Sequence, residues 1–169
     1  MSAQVVIDSL EFARQGRTLR GTIAIADLAR LQDVLHTNDG LLEYTVSGGI
    51  NGQSKSVLHI TITGVLQLQC QRCFGPLVYP LHLTSHFELV EHELGFGDLA
   101  EEDESVDLIE ADAQLDVLAL LEDEIILSLP ISPLHQPAEC KATQYLDQAE
   151  SSEQNAFSVL ATLKKQSNI

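Results

Sequence analysis

Between residues 57 and 89 apolar and polar side chains alternate along two long runs, and a period of two admits one backbone conformation. Leu58, Ile60, Ile62, Leu66, Leu68 and Cys70 share one parity, whereas His59, Thr61, Thr63, Gln67 and Gln69 take the other. Successive side chains of a strand point to opposite faces, so this run predicts a half-buried strand over 57–70. The pattern resumes with Leu77, Tyr79, Leu81, Leu83, Phe87 and Leu89 against His82, Thr84, His86 and Glu88, after Gly75-Pro76. Two long antiparallel strands joined at 71–76 follow. Upstream, Leu42, Tyr44 and Val46 alternate in the same way, and Gly48-Gly49 with Asn51-Gly52 supply turn residues tolerant of positive φ. They add a third strand to the meander.

Helical spacing takes over elsewhere. Leu28, Leu31 and Leu35, with Asp27 near the start, predict a short amphipathic helix over 26–36 packed on the sheet. Residues 5–10 and 19–25 read as further strands, and Val106, Leu108 and Ile109 as a short edge strand. The strongest helix spans 115–129, where Leu115, Leu118, Leu121, Ile125 and Leu129 share one side and Pro130 stops it. The fold class expected is α+β: a mostly antiparallel sheet covered by a few helices. One domain should occupy 1–140. Beyond Pro130, Pro133 and Pro137 a polar, mobile tail is expected over 141–169, with a short amphipathic segment at 156–165 that carries Phe157, Leu160 and Leu163.

Charge narrows the partners. Twenty-five acidic against nine basic residues give a formal charge of −16. A body so anionic repels a phosphate backbone, which disfavours extensive direct RNA binding and favours a basic protein partner. The charge is also uneven, since no Lys or Arg lies between Arg72 and Lys141. In that interval the run Glu101-Glu102-Asp103-Glu104 predicts an acidic, flexible loop and a candidate partner-binding segment, with Phe157, Leu160 and Leu163 as its apolar counterpart. Arg14, Arg17, Arg20 and Arg30 are the one cluster a direct RNA-binding module would use. No stretch approaches the apolar length of a membrane span, and the N-terminus has no signal-peptide pattern, so a soluble cytoplasmic protein is expected.

Three cysteines are too few for a disulfide framework and are read for metal or redox chemistry. Cys70-Gln71-Arg72-Cys73 places a C-x2-C pair at the strand connection. Tetrahedral structural zinc wants four ligands, and His135 with Cys140 completes a Cys3His set if the proline-rich loop folds back over the hairpin. Against this, Cys70 continues the apolar parity of its strand and a buried cysteine behaves as a small hydrophobe. A thioredoxin-like role is disfavoured, because that motif opens a helix and here strands flank it. No cofactor other than this candidate zinc is indicated.

Glu122 falls between Leu118, Ile125 and Leu129 on the helix and so needs a cation, with Arg72 as a candidate, or else it sits at the boundary. Asp123 and Glu124 read as a solvated helix surface. His59, His82 and His86 share the polar parity of neighbouring strands and form a conceivable cluster. There is no G-x-S-x-G elbow, P-loop, dinucleotide fingerprint or H-E-x-x-H, so no enzyme active site is expected.

Three stretches carry a family resemblance. They are LQCQRC over 68–73 with Pro76, then LDVLALLEDEIILSLPISPLH over 115–135 with Cys140 beyond, and NAFSVLATLK over 155–164. In order and spacing they resemble the YceD family. Some members of the wider family carry further cysteines around the position of His135 and beyond Cys140, in a pattern resembling a fuller zinc site, whereas this chain has His135 there and no later C-x2-C pair. The resemblance implies a non-enzymatic role in the synthesis, processing or stability of large-subunit (23S) ribosomal RNA. The expected partner is a basic ribosomal protein or an RNA-processing factor.

Overall fold

The computed structural model describes residues 5–91 and 107–141. The acidic run 101–104 and the segment 156–165 with Phe157, Leu160 and Leu163 lie outside the described residues, as does the tail expected after 141.

The alternating runs form the strands expected of them. β4 (Leu41–Ile50), β5 (Ser56–Gln69) and β6 (Pro76–Val90) make an antiparallel meander, with Val46 opposite Ile60 and Ile60 opposite Ser85. β2 (Thr18–Ala24) pairs with the free edge of β4, and β7 (Asp107–Glu110) runs parallel to the end of β6, giving the order β2-β4-β5-β6-β7. The short β3 (Leu35–Thr37) pairs with the far end of β5. Gly48 and Gly49 belong to β4 and not to the turn, which lies at 51–55, where Asn51 Oδ1 accepts from the N–H groups of Gln53 and Lys55. Gly48 serves close packing instead. A Cβ there would lie 2.6 Å from the Phe12 carbonyl oxygen, so its absence lets the first helix rest on the sheet.

That helix, α1 (Ser9–Arg14), corrects the reading of 5–10 as a strand. Only β1 (Val6–Ile7) is extended, and Asp8 then caps α1 by accepting from the Glu11 N–H at 2.8 Å. The helix expected over 26–36 is also corrected: two 3-10 turns, Ile25–Asp27 and Ala29–Leu31, lead into β3. Ile25, Leu28 and Leu31 are three apart, the 3-10 period, and all three are fully buried. Gln32 fixes the turns by donating to the carbonyls of Ile25 and Leu28.

The last helix starts two residues later than expected. Leu115 and Asp116 form β8, paired with β1, and α2 covers Val117–Ser128 with Asp116 accepting from the N–H groups of Leu118 and Ala119. Leu129 is extended (φ −73°, ψ 144°), as the residue before a proline prefers. α1, the 3-10 turns and α2 cover one sheet face, where Leu58, Ile60, Ile62, Leu66, Leu121 and Ile125 are fully or almost fully buried. The opposite face, with His59, Thr61, His82, Thr84 and His86, is exposed. No helix among the described residues is long and apolar enough to cross a membrane.

Candidate metal centre

At the tip of the β5–β6 hairpin, residues 70–75 fold into a closed knuckle. The Cys70 N–H donates to the Gly75 carbonyl at 3.0 Å, and the Phe74 N–H donates to the Cys70 carbonyl at 2.8 Å. This winding turns the N–H groups of Arg72 and Cys73 toward the Cys70 sulfur and that of Gly75 toward the Cys73 sulfur. Amides aimed at sulfur stabilise thiolates. The proline-rich loop docks as the Cys3His reading requires: the Gln71 N–H donates to the Pro133 carbonyl at 2.9 Å, and residues 136–140 form a turn in which the Cys140 N–H reaches the Gln136 carbonyl at 3.1 Å.

Cys70, Cys73, His135 and Cys140 consequently converge, with one ligand atom from each lying within 4.8 Å of the others. A tetrahedral zinc with Zn–S bonds of about 2.3 Å and Zn–N bonds of about 2.0 Å sets its donors roughly 3.5–3.8 Å apart. Cys73 Sγ and His135 Nδ1, at 3.4 Å, are already at that spacing. His135 Nε2 lies 2.8 Å from the Pro76 carbonyl, which only accepts, so the ring proton sits on Nε2 and the Nδ1 lone pair faces the sulfurs. Carbonyl support behind the ligating imidazole is the usual outer-shell arrangement of a metal-binding histidine. The donor set fits zinc.

The electrostatics agree. Burial opposes the Cys70 thiolate, but the N–H groups of His135, Cys73 and Arg72 outweigh it and bring its pKa down from 9.0 to about 6. For Cys73 the Gly75 N–H pulls the pKa down, while burial and the neighbouring Cys70 and Cys140 sulfurs push harder, for a net rise. His135 is raised, first by the Pro76 carbonyl and then by the Cys70 and Cys140 sulfurs. Three sulfurs at one point hold their negative charge together only with a cation among them. All three cysteines are free of disulfides.

Glu122 is buried and has its cation, but the cation is Arg30 and not Arg72. The Arg30 backbone N–H donates to Glu122 Oε1 at 2.7 Å and its Nε donates to Oε2 at 2.8 Å, while the guanidinium also reaches Asp123 and the Ala119 carbonyl. Arg72 is at the hairpin tip, away from this clamp. Glu124 is buried too, correcting its reading as a solvated position; α2 turns it toward β6, where the Ser85 hydroxyl donates to it. His59 and His86 are cross-strand partners with ring centroids 4.7 Å apart, but His82 faces Thr63 and stands outside the pair. Of the four N-terminal arginines, Arg30 is clamped to α2, Arg14 pairs with Glu91 and Arg17 lies over the Phe12 ring.

Two features of the tip escaped the sequence reading: the exposed Phe74 and the placement of Arg72 and Lys141 beside the cluster. Their adjacency to Cys73 and Cys140 was the available signal, since any residue beside a ligand is brought to the site with it.

Comparison with known proteins places the chain. The family model described as Large ribosomal RNA subunit accumulation protein YceD matches residues 58–164, a span that includes all four candidate ligands. A Haemophilus influenzae protein named Large ribosomal RNA subunit accumulation protein YceD is 26% identical over 167 residues, covering 95% of each chain. No solved structure matches. The chain therefore belongs to the YceD family.

Proposed function

We propose that this chain is a non-enzymatic factor required for large-subunit (23S) ribosomal RNA to accumulate, that it works through protein contacts, and that its Cys3His cluster holds a structural zinc. Family membership across 58–164 carries the first part. For the metal, four protein donors fill a tetrahedral ion and leave no position for a reacting water, which suits a structural and not a catalytic site. Zinc held there joins the hairpin tip to the loop after α2. Cys70, Cys73 and Cys140 supply thiolates, and His135 supplies Nδ1 with its proton kept on Nε2 by Pro76.

The protein-contact part rests on charge. A −16 molecule meets repulsion from a polyanion, and three of its four N-terminal arginines are engaged within the fold. A basic ribosomal protein or processing factor instead gains on-rate from the chain's acidic charge, to which Glu101, Glu102, Asp103 and Glu104 contribute, with Phe157, Leu160 and Leu163 as the apolar residues proposed to make contact. In cells lacking the chain, the 23S to 16S ratio should fall, and the wild-type chain should restore it. Neutralising 101–104 should slow partner association most at low salt, whereas Phe157→Ala should mainly hasten dissociation. Tight binding of the purified chain to isolated ribosomal RNA, indifferent to these substitutions, would contradict the reading.

A further inference from the structure

The hairpin tip, the last turn of α2 and the loop over residues 130–141 leave several large apolar side chains exposed. Ile131 is fully exposed, Leu127 is 78% exposed, Phe74 63% and Leu134 42%. Single exposed hydrophobics are ordinary, but four such side chains on segments bound to one another are a candidate contact surface. Phe74 adds a second sign. Its backbone φ is 57°, the left-handed region that a bulky side chain occupies at a cost and that glycine or asparagine would occupy with less. Its ring is not buried, so core packing does not offset that cost. A strained, exposed aromatic is the kind of outlier that points to use at a surface.

The charges at this end differ from those of the whole molecule. Arg72 and Lys141 bracket the long cation-free stretch of sequence, and both flank the cluster, because Arg72 lies between Cys70 and Cys73 and Lys141 follows Cys140. Both are exposed, and within 70–76 and 130–141 the one acidic residue is Glu139. From this juxtaposition we infer that the metal-bearing end is a docking surface for a protein segment that offers apolar side chains and a carboxylate. Phe74, Leu127, Ile131 and Leu134 take the apolar side chains, and Arg72 with Lys141 takes the carboxylate. A single strand of RNA would stack a base on Phe74 and set phosphates on the two cations, but Leu127, Ile131 and Leu134 would gain nothing from it. The protein segment uses all six residues.

This inference rests on the protein-contact reading and deepens it. The test uses the full, metal-loaded chain in cells that depend on it, with a photoreactive phenylalanine analogue replacing Phe74 and, in a parallel chain, Phe157. Irradiation should join position 74 to another protein, through a peptide with apolar residues and a carboxylate. Adduct yield should fall about tenfold in Ile131→Asp and Lys141→Glu, with zinc content and melting temperature unchanged, and 23S accumulation should fall with it. RNA adducts at position 74, adducts to this chain's own residues 142–169, adducts insensitive to both substitutions, or none at all would each overturn the docking surface. Protein adducts at 157 alone would leave the broader protein-contact reading intact, and RNA adducts at both positions would overturn both.

Discussion

Arg30 and Glu122 show how a single residue's place can be foreseen while its partner is not. A carboxylate between Leu118 and Ile125 has to meet donors, and periodicity along α2 is enough to say so. Which cation it meets depends on the 3-10 turns that carry Arg30 to the helix, and those come from long-range packing. Glu122→Ala should destabilise the fold more than Asp123→Ala, because it also strips the Arg30 backbone N–H of its acceptor, whereas Asp123 touches only the exposed part of the guanidinium. Equilibrium urea unfolding of the two variants ranks them directly. His59 makes a second prediction: burial, and then the His86 ring, hold its pKa below the ordinary 6.5. The unfolded chain therefore binds more protons once the pH drops below about 6.5, so the His59 contribution is intact above that pH and is lost as pH falls toward the folded-state value. The stability difference between wild type and His59→Gln, measured by urea unfolding at about pH 7.5 and about pH 5.5, should shift against the wild type on acidification. A difference constant with pH would contradict this.

At the scale of elements, the long strands were readable because each has one buried and one exposed face, and a period of two leaves no other backbone. β4, β5 and β6 were legible for that reason, whereas β2 was read only as a further strand over 19–25 and β7 from three apolar residues. The errors fell where period and length were ambiguous. Residues 25–31 keep a spacing of three that resembles helix until Leu35 pairs with Leu68, and residues 8–14 become helical through the Asp8 cap and the approach to Gly48. The buried side of α2 is better tested than inferred. Leu121→Ala should cost about 3 kcal/mol, because it opens a cavity in the core under α2, whereas Leu127→Ala, on the exposed side, should change stability by less than about 0.5 kcal/mol. The metal centre was half legible: the C-x2-C pair and the two remaining donors are visible in the sequence, but the Gln71–Pro133 and His135–Pro76 hydrogen bonds that bring them together are tertiary contacts with no local signature.

Across the whole molecule, the cluster joins parts of the chain that are far apart in sequence, tying the end of a long hairpin to the segment after the last helix. Removing the metal should therefore be felt beyond the loop itself. Chelator should lower the melting temperature by roughly 6–12 °C for every ~3 kcal/mol of binding energy lost, and Cys140→Ser should make the chain insensitive to chelator at that lower value. The same end carries the exposed Phe74, Arg72 and Lys141, so an ion bound there would hold in place the surface through which the protein is proposed to meet its partner. Cobalt substitution tests the metal centre most directly. The purified full-length chain, stripped and titrated with Co²⁺, should bind one equivalent with the strong visible absorption of a tetrahedral thiolate-rich site and lose that spectrum on addition of one equivalent of Zn²⁺. A weak octahedral spectrum, or full binding retained after Cys70→Ser and His135→Ala together, would contradict the account.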